Sequence, residues 1–304
     1  MDSKKEVGRL QKKVSKWLKW WVGEQYFVES HCDDPNKYFS AYLNGSEDAL
    51  LLGNRTQECT FWHIVHYEYA VLNEGGDGLA DLALAVRYAE AYVRFEEAYA
   101  NAGQNGSVLL TEAALYFALA VLAGQKEIAG RIGKTLFNGL DNSLLDLRHT
   151  ERHRKGVLFR HFWFLMHLYE QVSGDHFDIK NYSYPPDMSP YAEVLADWKT
   201  PDLTKVHNWV CAMADFHIQE TRNTAHDEID EFDSESTMLF PYEILCWLRL
   251  REWVGLENPE TFEHPLMQQP LAKLPSPVPL PIPETPLLDQ VIAKFKQEYP
   301  NSFI

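Results

Sequence analysis

Pro241-Tyr242-Glu243-Ile244-Leu245-Cys246-Trp247-Leu248-Arg249-Leu250-Arg251-Glu252-Trp253-Val254-Gly255 is the stretch that decides the fold. It opens on proline, closes on glycine and is apolar nearly all round, which predicts a helix buried on most sides. Upstream, Thr200-Pro201-Asp202 reads as a side-chain cap with proline at the first helical position. Leu203, Val206, Val210 and Met213 follow at steps of three and four and share one helical face. Between the two helices lies His226-Asp227-Glu228-Ile229-Asp230-Glu231-Phe232-Asp233-Ser234-Glu235, with six carboxylates and no Lys or Arg. Like charges this close repel, so the chain must gain something by keeping them together.

Helical periodicity extends to the rest of the chain. Leu10, Val14, Trp17, Leu18 and Trp21 stripe a helix over 4–27, with lysines opposite. Two short helices are expected over 35–45 and 46–53, and another over 58–72. Asp77 reads as the cap of a long helix to about residue 103, with one stripe at Leu79, Leu82, Val86, Ala89 and Val93 and a second at Tyr88, Tyr92, Phe95 and Tyr99. Residues 108–137 read as a helical hairpin turned at Gly124, and 156–172 as an aromatic-rich helix. Ser189-Pro190 opens a short helix, and Thr285-Pro286 opens the last one. Between residues 274 and 283 proline alternates with mostly apolar residues, which suits an extended strap laid over the body. No strand pattern of convincing length and no fixed repeat period is present. The expected fold is all-α: a bundle of roughly ten helices with hairpins and a C-terminal Pro-rich strap. It divides at residue 150 into two helical parts, 1–150 and 151–304, or forms one continuous domain.

The totals bound the function. The 304 residues are 45% hydrophobic, enough for a large core, and the formal net charge is −16. A surface of that sign excludes nucleic acid as the expected partner and suits a basic one. The charge is uneven. Residues 1–21 hold Lys4, Lys5, Arg9, Lys12, Lys13, Lys16 and Lys19, leaving 21 of the 28 basic and 42 of the 44 acidic groups to the rest. That acidic remainder offers the first helix an intramolecular partner and repels anionic lipid, so no membrane contact is expected. The longest apolar run, 113–123, is too short to span a bilayer. Cys32, Cys59, Cys211 and Cys246 are scattered singly, which suits a reducing cytoplasm. Cys211 and Cys246 fall inside apolar helical patterns and read as inert core thiols.

No motif of catalytic spacing emerges. His63 and His66 stand three apart without a Glu after the first, so they lack the zinc-protease pattern and read as packed, hydrogen-bonded histidines. His226-Asp227 is the one dyad that suits a metal-dependent phosphohydrolase of the HD type, with His161, His167, His207 or His217 as the first histidine. The downstream Asp such a site needs on a helix is missing, since only Asp289 follows Asp233. The acidic run also lacks the glycine and ligand spacing of a calcium loop. Phosphate-binding glycine loops and a nucleophile elbow are absent. No cofactor or metal is expected. What remains is a binding surface formed by Asp227, Glu228, Asp230, Glu231, Phe232, Asp233 and Glu235, with Ile229 and Phe232 as apolar anchors to the body or to a partner. The plain alternatives are a solvated interhelical loop and a helical scaffold that recruits partners through its strap or its Lys-rich helix.

Phe240-Pro241-Tyr242-Glu243-Ile244-Leu245-Cys246-Trp247-Leu248-Arg249, then Gly255-Leu256 and His264-Pro265-Leu266-Met267, resembles the C-terminal part of all-α immunity proteins from bacterial polymorphic toxin and type VI secretion systems. The helix over 210–222 and the hairpin around Gly124 are similar in style. In style and acidity the chain also resembles the PoNi-type immunity proteins, from which its long Pro-rich strap departs. The resemblance implies a cytoplasmic, non-enzymatic protein that binds one cognate toxin tightly and blocks or deforms its active site. A nuclease toxin would present a basic cleft, which an acidic inhibitor can fill.

Overall fold

In this computed structural model, residues 2–145, 159–221 and 231–303 are described, and among them there are helices and no strand, as the apolar periodicity leads one to expect. In chain order the helices are α1 (Ser3–Gly23), α2 (Gln25–Val28), α3 (Asp34–Asn44), α4 (Leu52–Tyr69), α5 (Leu79–Asn101), α6 (Leu110–Leu122), α7 (Lys126–Gly139), α8 (Arg160–Ser173), α9 (Tyr191–Ala196), α10 (Leu203–Gln219), α11 (Tyr242–Trp253) and α12 (Pro286–Glu298).

The decisive stretch becomes α11, and every residue from Tyr242 to Arg251 is buried. It packs against α6, whose residues from Ala113 to Leu122 are likewise all buried, and against α8. A helix without a polar face has to be enclosed by others, and these two supply each other's cover. Two charged side chains of α11 are turned to structural use. Arg251 donates to the carbonyls of Trp198 (3.0 Å), Thr200 (2.9 Å) and Glu257 (2.8 Å) and to Asn258 Oδ1 (3.0 Å). Arg249 donates to Glu252 and to the Pro275 and Ser276 carbonyls, so it ties down the start of the Pro-rich strap. The strap continues over the α6–α7 turn, where Leu280 N–H donates to the Ala123 carbonyl at 2.9 Å. Gly124 forms that turn at φ 73°, and a Cβ there would lie 2.9 Å from Pro279 Cα, so glycine is required twice over.

One apolar cluster runs from Val7 to Leu280 and draws on both sides of residue 150. A second joins α3, α5 and α12, through Phe39, Phe95 and Phe295 among others. The final helix thus returns to the N-terminal part of the chain.

Several local expectations shift. The α10 cap is Asp202, whose carboxylate accepts from Thr204 N–H (2.9 Å) and Lys205 N–H (3.2 Å), and not Thr200. The helix placed at 58–72 begins at Leu52 and absorbs the end of the short one placed at 46–53. The first helix stops at Gly23, and a π turn over Glu29–Asp33 follows α2. Asp77 accepts from Leu79 N–H at 3.2 Å, but the residue at the α5 N-cap is Gly78 at φ 59°. Cys246 is buried, and burial pushes its thiol well up; Cys211 is only half-buried, with its sulfur 3.6 Å from His207 Nε2.

Glu68, on α4, is buried, and neither of its carboxyl oxygens has a hydrogen-bond partner among the described residues. Burial holds its carboxyl well above the usual range. The folded chain therefore keeps a proton that the unfolded chain releases at about pH 4.3. Stability from this group is full below that pH and is lost as pH rises through the raised folded value. Glu68→Met should stabilise the protein by about 1–3 kcal/mol near pH 8, with the gain shrinking toward pH 4. Urea unfolding at the two pH values checks this; a difference independent of pH would refute it.

Candidate functional site

Of the acidic run, the structure describes the part from Glu231 onward. Asp227, Glu228 and Asp230, with Ile229 and the His226-Asp227 dyad, lie outside the described residues. The remaining members separate into two kinds. Asp233 is exposed and Glu235 half-buried at the surface, where Glu235 pairs with Lys13 of α1 at 3.3 Å. Glu231 and Phe232 are inside, at 5% and 0% exposure. The expectation that these two form part of a contact surface is corrected: their side chains are enclosed by the protein itself.

The reason is electrostatic. α8 starts without a side-chain cap of its own, because the residue before it, Phe159, takes a left-handed conformation at φ 35° and offers no acceptor. The uncovered N–H groups and the positive end of the helix dipole call for an anion. Glu231 supplies it from 70 residues downstream: its Oε2 accepts from the His161 N–H (3.0 Å) and lies 2.8 Å from His161 Nδ1. Oε1 accepts from Arg160 Nε at 2.8 Å. Burial alone pushes this carboxyl up, but the hydrogen bond and charge of His161, then Arg160, outweigh it and hold the group down to about 2.

The same guanidinium reaches Glu220 Oε1 at 3.1 Å and lies 4.0 Å from the Phe216 ring centre. Glu220, just past α10, accepts the Phe232 N–H through its carbonyl at 3.1 Å. Glu220 and the Glu231–Phe232 pair are thus drawn to one point at the α8 N-terminus. Phe232 seals it. Its ring stacks on His217 at 3.9 Å and lies 4.8 Å from His161 and 5.9 Å from Tyr242. His217 is held in turn, donating through Nε2 to the Thr237 carbonyl (3.1 Å), with Nδ1 3.0 Å from Glu243 Oε1.

The histidines offered as first ligands of a metal site are therefore engaged elsewhere. His161 and His217 sit against Glu231 and Glu243, His167 lies between Glu170 and Tyr184, and His207 stacks on Phe262. His63 pairs with Asp81 at 2.8 Å, and His66 packs on Trp62. Among the described residues no three His, Cys, Asp or Glu side chains converge as a metal site would require.

Sequence reasoning missed Arg160, His161, Glu220 and His217 as the holders of the run. The available signal was Phe232 itself, a large apolar side chain inside a run of charge. Comparison with protein-family models, curated proteins and solved structures found no match.

Removing one member of a buried pair strands its partner's charge, at a cost of about 3–5 kcal/mol. Glu231→Gln should therefore destabilise by about that much in denaturant unfolding at pH 7. Because the folded carboxyl is depressed, its contribution is complete above the unfolded value of about 4.3 and falls away as pH drops through about 2. The gap between wild type and variant should accordingly narrow in acid; a gap that is small at pH 7, or that does not narrow, would contradict the clamp.

Proposed function

We propose that this chain is a non-enzymatic immunity protein that neutralises a cognate toxin with a basic surface, of nuclease type, through the carboxylates on either side of the Glu231–Phe232 clamp. The contact set is Asp227, Glu228, Asp230, Asp233 and Glu235. The observation that carries the reading is the clamp itself. A solvated acidic loop needs no buried ion pair at its base, whereas a binding loop gains from having its ends held in place, since the ordering cost is met on folding and not on binding. Asp233 and Glu235 emerge one and three residues after the buried anchor, on the exterior. The formal charge of −16 adds a long-range field that raises the capture rate for a basic protein. Close charge pairs across such an interface are worth about 1.5–7 kcal/mol in coupling energy.

The test is co-expression with the product of the neighbouring gene, scored by survival, and affinity measured by pull-down. Asp227→Asn, Glu228→Gln, Asp230→Asn, Asp233→Asn and Glu235→Gln together should weaken binding by at least about a hundredfold and abolish rescue, with unfolding midpoints near wild type. Undiminished rescue by this variant would remove the acidic run from the interface. Absence of any complex with the neighbouring product would remove the immunity reading.

A further inference from the structure

Helix α1 has a second face that this reading leaves unused. Val7, Leu10, Val14, Leu18 and Trp21 are buried on one side. On the other, Lys5, Arg9, Lys12, Lys16, Lys19 and Trp20 fall within an arc of about 100° at the helical rotation per residue. All six are exposed. No carboxylate of α1 lies in that arc, and Glu6 at its edge pairs with Arg9 at 2.6 Å. Among the described residues, Lys5, Lys12, Lys16 and Lys19 have no carboxylate within ion-pair distance. At the far end of the row two aromatic side chains stand in solvent, Trp20 at 52% and Tyr26 at 69% exposure. Both rest edge-on against Phe27, at 5.1 and 5.4 Å.

We propose that this ridge is a docking surface for the anionic headgroups of a lipid bilayer. The row of lysines runs about 21 Å along one side of the helix. A row along one exposed helix face suits a planar partner, whereas a single-stranded nucleic acid is held in a groove that tracks its backbone. Four to eight basic groups on one helix face match a layer of acidic headgroups, and Trp and Tyr favour the same depth at the interface. Because the apolar stripe of α1 is committed to the core, the contact is peripheral and electrostatic, without insertion. Among the described residues no helix is long and apolar enough to cross a membrane. The sequence-based expectation of no membrane contact rested on repulsion by the acidic remainder. At physiological salt, charges more than about 8 Å from the lipid plane are largely screened, so the sign is set by the basic row against the carboxylates already paired with α1, Glu6 on Arg9 and Glu235 on Lys13.

The test is co-sedimentation of the full chain with vesicles of phosphatidylcholine containing about one third phosphatidylglycerol, against phosphatidylcholine alone, at about 0.1 M salt. Uptake is expected on the anionic vesicles only, and it should vanish near 0.5 M salt. Lys12→Gln, Lys16→Gln and Lys19→Gln together should lower partitioning roughly a hundredfold, at about fivefold per lysine. Lys180→Gln, Lys199→Gln and Lys273→Gln remove the same formal charge from other exposed sites and should leave uptake near wild type. Three results would overturn the proposal: no uptake on anionic vesicles, equal loss in both triple variants, or binding of a single-stranded oligonucleotide through Lys12, Lys16 and Lys19 while vesicles are ignored.

Discussion

The carboxylate of Glu231 at the start of α8 is the contact on which the arrangement around the acidic run depends. Helix α8 lacks a local cap and begins with Arg160, so its first turn presents open N–H groups beside a guanidinium. An anion must be found, and the chain finds it in the middle of its densest acidic segment. This relieves part of the repulsion within the run. Glu231 is neutralised by three donors, beside the end of α10. Phe232 then fills the space between His161 and His217, so an apolar contact reinforces the ionic one.

Behind the clamp lies a support of the opposite kind. α6 and α11 are buried along most of their length and offer water almost nothing. The arginines of α11 serve as fasteners: their planar, multiply donating heads collect backbone carbonyls that loops would otherwise leave unpaired. Arg251 gathers 198–200 and 257–258, and Arg249 gathers 275–276. Through them the connecting segments acquire definite positions, although few of their residues belong to regular structure. The strap is held by the same means and by Gly124, whose missing side chain lets it approach.

Much of this was legible beforehand. Apolar steps of three and four marked α1, α5 and α10, Thr285-Pro286 marked the start of α12, and the hairpin around Gly124 announced α6 and α7. Errors gathered at helix ends. Thr200-Pro201-Asp202 contains two residues able to cap, and the choice of Asp202 follows from backbone geometry that a list of residue types does not contain. The inward turn of Glu231 was not legible either. In sequence it is one acid among six, and nothing nearby distinguishes it, because the groups that select it lie 70 residues upstream. Phe232 was ambiguous for a related reason, since an apolar residue amid charge serves equally as an internal anchor or as a contact for a partner.

By itself, the sequence determined that this chain is all-helical, that α11 is enclosed, that its charge is strongly acidic and that α1 keeps its lysines on one side. Those properties depend on periodicity and composition, which act within a few residues of one another. Only the tertiary structure decided that, among the described carboxylates of the run, Glu231 faces inward while Asp233 and Glu235 remain near water, that Arg160 and His161 hold Glu231, and that the last helix packs beside the N-terminal ones. Each of these depends on which distant groups meet. Burying a charge is tolerable only where a partner of opposite sign and sound geometry already waits.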